Sequence, residues 1–331
     1  MEATFMKDET NVLIAMPVGT AGDKDNFLTV ISWKILWNTN KMSLKLHPKD
    51  YTQWHSPIET VIDFFKGKLT ELGLNKSDRN EIVMDVGCGP GGTTKEVILP
   101  FFSKAEKIIA LDAMPDMIDI ARQKNAHPQI EYVVADITEW STVEQWEAKI
   151  TKVVSIHCFH WVRNQKPGFQ NIYRLLVSGG EAAFFFVLEA TFYEATEELQ
   201  NSSKWGQYLK GHDNRIPDSH HYKYDASYYK KLMEEIGFEV LHCEKEEKRD
   251  VYPDDESYKN FFSSICVLLP YIPQEHKEDF KNDILKHAIE RNGRTNTGLP
   301  FHYGKILELK LFGCGKLTKG HIDVTAIKTL M

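Results

Sequence analysis

Residues 83–92 read Val83-Met-Asp-Val-Gly-Cys-Gly-Pro-Gly-Gly92, and this stretch decides the fold. Its apolar start predicts a buried strand, its glycines predict a tight turn, and the pattern from Thr93 onward predicts a helix. Glycines in a strand–turn–helix unit let the backbone come close to a ligand at the carboxyl edge of a sheet. The stretch therefore predicts an α/β fold that binds a nucleotide-like molecule.

Working outward, short apolar runs alternate with helical patterns from residue 82 onward, as is typical of a parallel sheet covered by helices. The predicted strands are residues 82–86, 107–111, 129–134, 152–158 and 181–188. The predicted helices are residues 93–102, 114–124 and 165–176, and we expect Ser178-Gly-Gly180 to end the last of them.

The second half of the chain is predicted to extend this sheet and to add a helical cap. Residues 191–224 have a less regular pattern. After them we expect a helix at 226–236, a strand at 238–244, amphipathic helices at 254–269 and 274–291, and a strand at 302–312. We predict one elaborated domain over residues 42–313, with cap elements at about 191–224 and 251–293. Residues 1–41 form an extension of unknown role, and residues 314–331 form a tail.

Composition excludes several classes of protein. The chain has 331 residues, a formal net charge of −7 and a pI of about 6.0, so no excess of positive charge is available for nucleic acid. Its five cysteines are scattered and predict neither a disulfide framework nor a zinc site. No apolar run predicts a membrane span, and residues 1–10 lack a basic signal region. We expect a cytoplasmic protein with a small-molecule substrate.

The glycines alone leave two cofactors open, because Gly87, Gly89 and Gly92 also match the spacing of dinucleotide-binding folds. Asp85 stands where a dehydrogenase strand is usually apolar, and it could anchor the loop and a cofactor amino group. Asp112 closes the second strand, where a carboxylate accepts ribose hydroxyls.

Asp136-Ile137 follows the third strand and could accept the adenine amino group beside an apolar surface. This addition favours S-adenosylmethionine over a dinucleotide. Each of the three acids could instead cap a turn or helix, most easily Asp136.

The fourth strand ends in Ser155-Ile-His-Cys-Phe-His-Trp-Val162, at the edge where a transferred group would lie. His157, His160 and Trp161 are the candidate acceptor-binding residues, although Trp161 could also be core and His160 a structural partner. Ser219-His-His221 is predicted to lie in an exposed loop, with no metal site.

Four motifs together resemble the arthropod juvenile hormone acid methyltransferases, over roughly residues 50–313. They are Asp85-Val-Gly-Cys-Gly-Pro-Gly91, Cys158-Phe-His-Trp-Val-Arg-Asn-Gln165, Asn171-Ile-Tyr-Arg-Leu-Leu-Val-Ser-Gly-Gly180 and Ser203-Lys-Trp-Gly-Gln-Tyr208. The resemblance implies a class I methyltransferase: a Rossmann-like three-layer α/β sandwich with a seven-stranded, mostly parallel sheet, an antiparallel last strand and a helical cap.

The resemblance also implies a reaction and a set of site residues. The reaction is methyl transfer from S-adenosylmethionine, leaving S-adenosylhomocysteine, to the carboxylate of farnesoic acid or juvenile hormone acid. Gln53 and Trp161 would hold that carboxylate, with His157 and His160 helping. The cofactor-binding residues would be Asp85, Gly87, Cys88, Gly89, Asp112, Ala113, Met114, Met117, Asp136, Ile137 and His157.

Two alternatives stay open at this point. A methyltransferase that acts on a hydroxyl, amine or carbon would need a base, for which His157 and His160 are the candidates. A non-catalytic lipid-binding relative would keep the cap but bind no cofactor. A carboxylic acid needs no base, because its ordinary pKa of about 4.3 leaves it ionised at neutral pH.

Overall fold

The computed structural model describes residues 4–7, 13–16, 59–76 and 80–313. The first two ranges are strands Thr4–Lys7 and Leu13–Met16, which pair antiparallel in a sheet of their own. They lie in the predicted extension and belong to a different compact unit of the chain from the main sheet. The predicted domain boundaries stay a prediction.

The main sheet has seven strands, six of which run parallel to one another. They are β1 (Ile82–Val86), β2 (Lys107–Asp112), β3 (Ile130–Val134), β4 (Ile150–Ile156), β5 (Leu176–Ala190), β6 (Phe238–Val251) and β7 (Phe301–Gly313). Their order is β3-β2-β1-β4-β5-β7-β6, and β7 is antiparallel to both of its neighbours. The predicted fold class, with a reversed last strand, is confirmed.

Helices cover the sheet and build an additional layer at its carboxyl edge. They are α1 (Glu59–Asp63), α2 (Leu99–Phe101), α3 (Pro115–Lys124), α4 (Trp140–Val143), α5 (Gln165–Leu175), α6 (Thr191–Asn201), α7 (Gly206–Leu209), α8 (Asp218–His221), α9 (Ala226–Ile236), α10 (Asp255–Ile265) and α11 (Lys277–Asn292). Two π-helical segments, Phe64–Leu69 and Thr94–Ile98, continue α1 and precede α2. No helix in the described ranges is long and apolar enough to cross a bilayer.

Two local predictions are wrong. The helix before β5 ends at Leu175, and Ser178-Gly-Gly180 lies inside the strand, where the β4–β5 register shifts and Gly179 has a φ of +73°. The stretch at 191–224 is also more regular than expected, since it begins with the eleven-residue helix α6. Its apolar residues face one side at helical spacing, but Thr191, Phe192 and Tyr193 have weak helix propensity.

The cap elements pack on one another and on the sheet through aromatic side chains. Phe192 of α6 stacks on Phe262 of α10, with ring centroids 4.9 Å apart. Trp205 packs edge-on against Phe280 of α11 at 5.1 Å, and its indole Nε1 donates to Asp283 at 2.8 Å. These contacts join the segments around residues 191–224 and 251–293 above the carboxyl end of β5 and the amino end of β7.

Candidate functional site

The glycine loop, residues 87–92, requires glycine at its first position. Gly87 follows β1 directly and has a φ of +80°, a backbone conformation that side chains disfavour. A Cβ atom at Gly87 would overlap the side chain of Cys158. The loop and the 157–161 segment, which follows β4, are therefore pressed against each other with no room for a side chain.

Hydrogen bonds to the end of β2 hold the loop in place. The backbone N–H groups of Gly87 and Cys88 both donate to the carbonyl oxygen of Leu111, at 2.8 and 3.0 Å. The carboxylate of Asp112 accepts from the Gly89 N–H at 3.0 Å and from the Met114 N–H at 2.8 Å. Each carboxylate oxygen retains a second lone pair, so Asp112 can still accept ligand hydroxyls.

Asp85 is buried at the end of β1, with only 2% of its surface exposed. Burial raises the pKa of this carboxyl from 3.8 to about 7, the nearby charge of Asp112 adds to the rise, and the Thr94 hydroxyl, which donates to Asp85 at 2.6 Å, opposes it. Burial also raises the pKa of Asp112, against the hydrogen bonds from Met114 and Gly89, and the charge of Asp136 contributes. This edge therefore favours a cationic ligand.

The other predicted cofactor residues lie beyond the loop. One oxygen of Asp136 accepts from the Thr138 N–H and hydroxyl at 2.9 and 2.7 Å, which is the capping contact expected of an acid after a strand. Ile137 is buried, and its carbonyl accepts from the Asn171 side chain at 2.8 Å.

The structure brings only some of the predicted cofactor residues to the main cavity. Asp85, Gly87, Cys88, Gly89 and His157 line it. Those that do not line it are Asp112, Ala113, Met114, Met117, Asp136 and Ile137. Among these, Met117 is buried in the core.

Hydrogen bonds and ring stacking fix the conformation of the 157–161 segment. His157 has a φ of +52°, which is uncommon for a residue with a side chain, and its N–H donates to Phe185 at 2.7 Å. A 3₁₀-helix, Phe159–Trp161, follows. The Phe159 ring stacks on Phe169 at 4.2 Å, and the Gln165 side chain donates to the Phe159 carbonyl at 2.8 Å. Gln165 is a supporting residue that sequence reasoning missed.

This segment presents two imidazoles and an indole to one cavity. The ring centroids of His157 and His160 are 6.0 Å apart, and those of His160 and Trp161 are 5.0 Å apart. Burial lowers the pKa of His157 to about 4, so its imidazole is uncharged at neutral pH. The His157 Nε2 atom is buried and has no hydrogen-bond partner among residues 59–76 and 80–313. A buried polar atom in this position is suited to contact a ligand.

The cavity has a volume of about 1210 Å³ including its open mouth, and it runs from the glycine loop to the last strands of the sheet. Its far part is mainly apolar and is lined by Val61, Ile156, Val187, Ala190, Phe192, Phe261, Ile265 and Ile306. Besides Thr93 next to the glycine loop, sequence reasoning missed four polar lining residues, namely Tyr193, Lys248, Asp250 and His302. They come from the cap and from β6 and β7, and no local motif marks them.

The remaining site predictions have different outcomes. Gln53 lies outside the described residues. The expectation that His220 is exposed is wrong, because it is 4% exposed in α8 and packs edge-on against Tyr193 at 5.4 Å, whereas His221 is exposed. Within residues 59–76 and 80–313, no cluster of three or more His, Cys, Asp or Glu could hold a metal ion.

The residues present fit S-adenosylmethionine. Positive-φ glycines bring the backbone close to a ligand, Asp112 offers acceptors for ribose hydroxyls, and buried acids favour the positive charges of a sulfonium and an ammonium group. The cavity connects this edge directly to His157 and Trp161.

Comparison with known proteins agrees with this geometry. The methyltransferase domain family model matches residues 83–180. Juvenile hormone acid O-methyltransferase of Drosophila melanogaster is 25% identical over 219 residues, covering 66% of this chain and 74% of that protein. The enzyme of the same name from Bombyx mori is 25% identical over 204 residues, covering 61% and 72%.

A malonyl-[acyl-carrier protein] O-methyltransferase of Ilyobacter polytropus is 28% identical over 130 residues, covering 39% of this chain and 46% of that protein. The strand order, the site and these relatives agree on one class of protein. The chain is an S-adenosylmethionine-dependent methyltransferase of class I, with distant similarity to the juvenile hormone acid O-methyltransferases.

Proposed function

We propose that this chain is a carboxyl O-methyltransferase that esterifies an apolar sesquiterpenoid acid, such as farnesoic acid or juvenile hormone acid. The observation that carries the proposal is the continuity of the cavity described above. It joins the glycine loop to uncharged hydrogen-bonding side chains and then to a largely apolar chamber. The names of the three relatives, with juvenile hormone acid and a malonyl group, also refer to acids.

The glycine loop and the acids at the ends of β1 and β2 would hold the cofactor. Asp85 would face its positive charge, Asp112 would accept its ribose hydroxyls, and Asp136-Ile137 would contact its adenine. When bound, S-adenosylmethionine supplies an electrophilic methyl group on a positively charged sulfur.

The 157–161 segment would position the acceptor carboxylate. Because a carboxylate is already ionised at neutral pH, the protein has to align an oxygen with the methyl carbon rather than remove a proton. Holding that oxygen about 3 Å away in the correct direction can supply up to roughly 7–11 kcal/mol. The indole N–H of Trp161 would donate to the carboxylate, and His157 or His160 would help to orient it. Gln53 is proposed to assist.

The apolar chamber would bind the hydrocarbon tail. Phe192 of α6 and Phe261 and Ile265 of α10 line it from the cap, and Val187 and Ile306 line it from the sheet. Each buried methylene contributes about 0.8 kcal/mol, so a terpenoid tail can provide most of the affinity.

A hydroxyl, amine or carbon acceptor would need a base at this edge, and His157, one of the two candidates, is poorly suited to that role. With a pKa of about 4, His157 is too weakly basic to remove such a proton efficiently near pH 7. The carboxylate proposal therefore expects no limb from His157 in the rate between pH 6 and 9.

The test is the variant Trp161→Phe, which keeps an aromatic ring but removes the N–H donor. We expect about a tenfold to hundredfold loss of kcat/KM on farnesoic acid, because a donor to an ionised group contributes about 1.5–3 kcal/mol. S-adenosylmethionine binding, measured by calorimetry, should be unchanged. Trp146→Phe, outside the cavity, is the matched control. Unchanged turnover in the Trp161 variant would refute the assigned role.

A further inference from the structure

Gln165, the first residue of α5, makes two hydrogen bonds in opposite roles. Its side-chain amide N–H group donates to the carbonyl oxygen of Phe159 at 2.8 Å, and its amide oxygen accepts from the Tyr229 hydroxyl at 2.9 Å. A backbone carbonyl only accepts, so the amide nitrogen faces Phe159 and the amide oxygen is left for Tyr229. Gln165 therefore links the segment after β4 to helix α9.

The Phe159 carbonyl is the point at which this link meets the acceptor edge. The same oxygen accepts from the backbone N–H of Val162 at 3.0 Å, which closes the 3₁₀-helix Phe159–Trp161. A carbonyl oxygen has two lone pairs, so these two donors use both of them. A single 3₁₀ turn is held only weakly by its own hydrogen bonds. The contact with Gln165 therefore fixes the orientation on α5 of the turn that carries Trp161.

Helix α5 also receives the ring of Phe159. A Cβ atom at Gly168 would come within 3.2 Å of that ring, so glycine at this position leaves the room that the ring needs. On the other side, the ring stacks on Phe169, with centroids 4.2 Å apart and an angle of 11° between the planes. One helix therefore fixes both the ring of Phe159, through packing, and its carbonyl, through Gln165.

Tyr229 holds the Gln165 amide in one orientation. Tyr229 is fully buried in α9, and its ring packs edge-on against Phe186 of β5 at 5.3 Å. Burial raises the pKa of the Tyr229 hydroxyl, so this group stays protonated and donates at neutral pH. Fixing a long amide side chain costs conformational entropy, which the second hydrogen bond helps to offset. The Gln165 amide is therefore held at both ends.

We propose that Gln165 is a positioning residue for methyl transfer, which acts through Trp161 and is itself held by Tyr229. Gln165 does not line the acceptor cavity, whereas Trp161 does. Without the amide, the 3₁₀ turn would shift on α5 and the indole would meet the acceptor in the wrong direction. A displacement of about 1 Å can lower a rate about a hundredfold. This inference rests on the proposed role of Trp161 in the carboxyl methyltransferase.

The first experiment needs no acceptor and observes Trp161 directly by ¹⁹F NMR of protein labelled with 5-fluorotryptophan. The chain has seven tryptophans, and the resonance that is missing in Trp161→Phe identifies Trp161. Gln165→Leu should shift or broaden that resonance, because the turn loses its contact with α5. Gln207→Leu is the matched control: Gln207 is an exposed glutamine that also donates to a backbone carbonyl, at 3.0 Å, and its replacement should leave the Trp161 resonance unchanged.

The second experiment measures kcat/KM on farnesoic acid in two backgrounds. Gln165→Leu should lower it about tenfold or more in the native protein, with S-adenosylmethionine binding by calorimetry unchanged. In the Trp161→Phe background the same substitution should cost less than about threefold, because residues that act as one unit have non-additive effects. Tyr229→Phe, which removes only a hydroxyl, should also lower kcat/KM and should add little to Gln165→Leu.

The outcomes separate this inference from the proposed function. If the native enzyme does not methylate farnesoic acid, the proposed function fails, and the Trp161 resonance still decides whether Gln165 positions the indole. If Trp161→Phe turns over normally, the role of Trp161 fails and the inference fails with it.

Two results would refute the inference alone and leave the carboxylate proposal standing. One is an unchanged Trp161 resonance in Gln165→Leu, and the other is an equal loss of kcat/KM in both backgrounds, as a purely structural role would give. Should Gln165→Leu not fold, Tyr229→Phe decides by the same two measurements.

Discussion

Replacing Asp85 by asparagine should stabilise the cofactor-free protein at alkaline pH while weakening cofactor binding. Asp85 is buried, and burial raises the pKa of its carboxyl to about 7, so above that pH the protein carries an unfavourable buried charge. Asparagine has nearly the same volume, and its oxygen can still accept the Thr94 hydroxyl, which lies 2.6 Å from the carboxylate.

The size of the effect follows from the pKa. Because the pKa of Asp85 is higher in the folded protein than its ordinary 3.8, the native state binds more protons between those values, and stability falls as the pH rises through that window. At about 1.4 kcal/mol per pKa unit, the destabilisation is complete above pH 7 at about 4 kcal/mol. At pH 5 it amounts to only about 2 kcal/mol.

The assay is urea unfolding of the native protein and of Asp85→Asn at pH 5 and pH 8. The variant should gain about 2 kcal/mol more in free energy of unfolding, relative to the native protein, at pH 8 than at pH 5. Comparing the two pH values removes any effect of the substitution that does not depend on pH. Asp116→Asn, at an exposed carboxylate, is the matched control. A variant that is less stable at pH 8, or equally affected at both pH values, would refute the reasoning.

Three further predictions concern the cofactor edge and the cap. Cofactor binding should release about half a proton at pH 7 and strengthen as the pH rises through 7, because the positive charge of the cofactor favours the ionised form of Asp85. Calorimetry in two buffers of different ionisation enthalpy measures this proton release, and equal binding enthalpies in the two buffers would contradict the prediction. Gly87→Ala should lower the free energy of unfolding by about 3 kcal/mol or more and abolish cofactor binding, because the added methyl group overlaps Cys158. Gly211→Ala is the control: Gly211 has a φ of +84° but open space around it, so the free energy of unfolding should fall by only about 1–2 kcal/mol. Equal losses of stability in urea unfolding would contradict the overlap at Gly87. Trp205→Phe should lower the free energy of unfolding by about 2 kcal/mol in the same assay, because the substitution removes a 2.8 Å hydrogen bond to the carboxylate of Asp283. An unchanged urea midpoint would show that this hydrogen bond does not stabilise the cap.

Much of the fold could be predicted because short, contiguous stretches of sequence determine its strands and helices. Strand β1 and the glycine loop are contiguous, and the period of the apolar residues placed β2, α3 and α9 within a residue or so of their observed ends. The errors arose where local and tertiary preferences disagree. Ser178-Gly-Gly180 has the composition of a helix stop, yet strand pairing draws these residues into β5.

The candidate site divides in the same way. Asp85, Gly87 and Asp112 could be assigned from neighbouring motifs, and the structure brings them together at one edge. His302 could not, because it lies 145 positions after His157 and reaches the same cavity only through the antiparallel pairing of β7 with β5 and β6. His220 was misassigned because its burial depends on packing against Tyr193 in the cap.

The most direct test of the central claim is transfer of a tritium-labelled methyl group from S-adenosylmethionine to a panel of acceptors. The panel contains farnesoic acid, juvenile hormone acid, fatty acids, small dicarboxylic acids and the alcohol farnesol. We expect label in the methyl ester of a sesquiterpenoid acid. With saturating cofactor, titration of His157 should not change the rate between pH 6 and 9. Label in farnesol alone, or in none of the acids while the cofactor binds, would contradict a carboxyl methyltransferase.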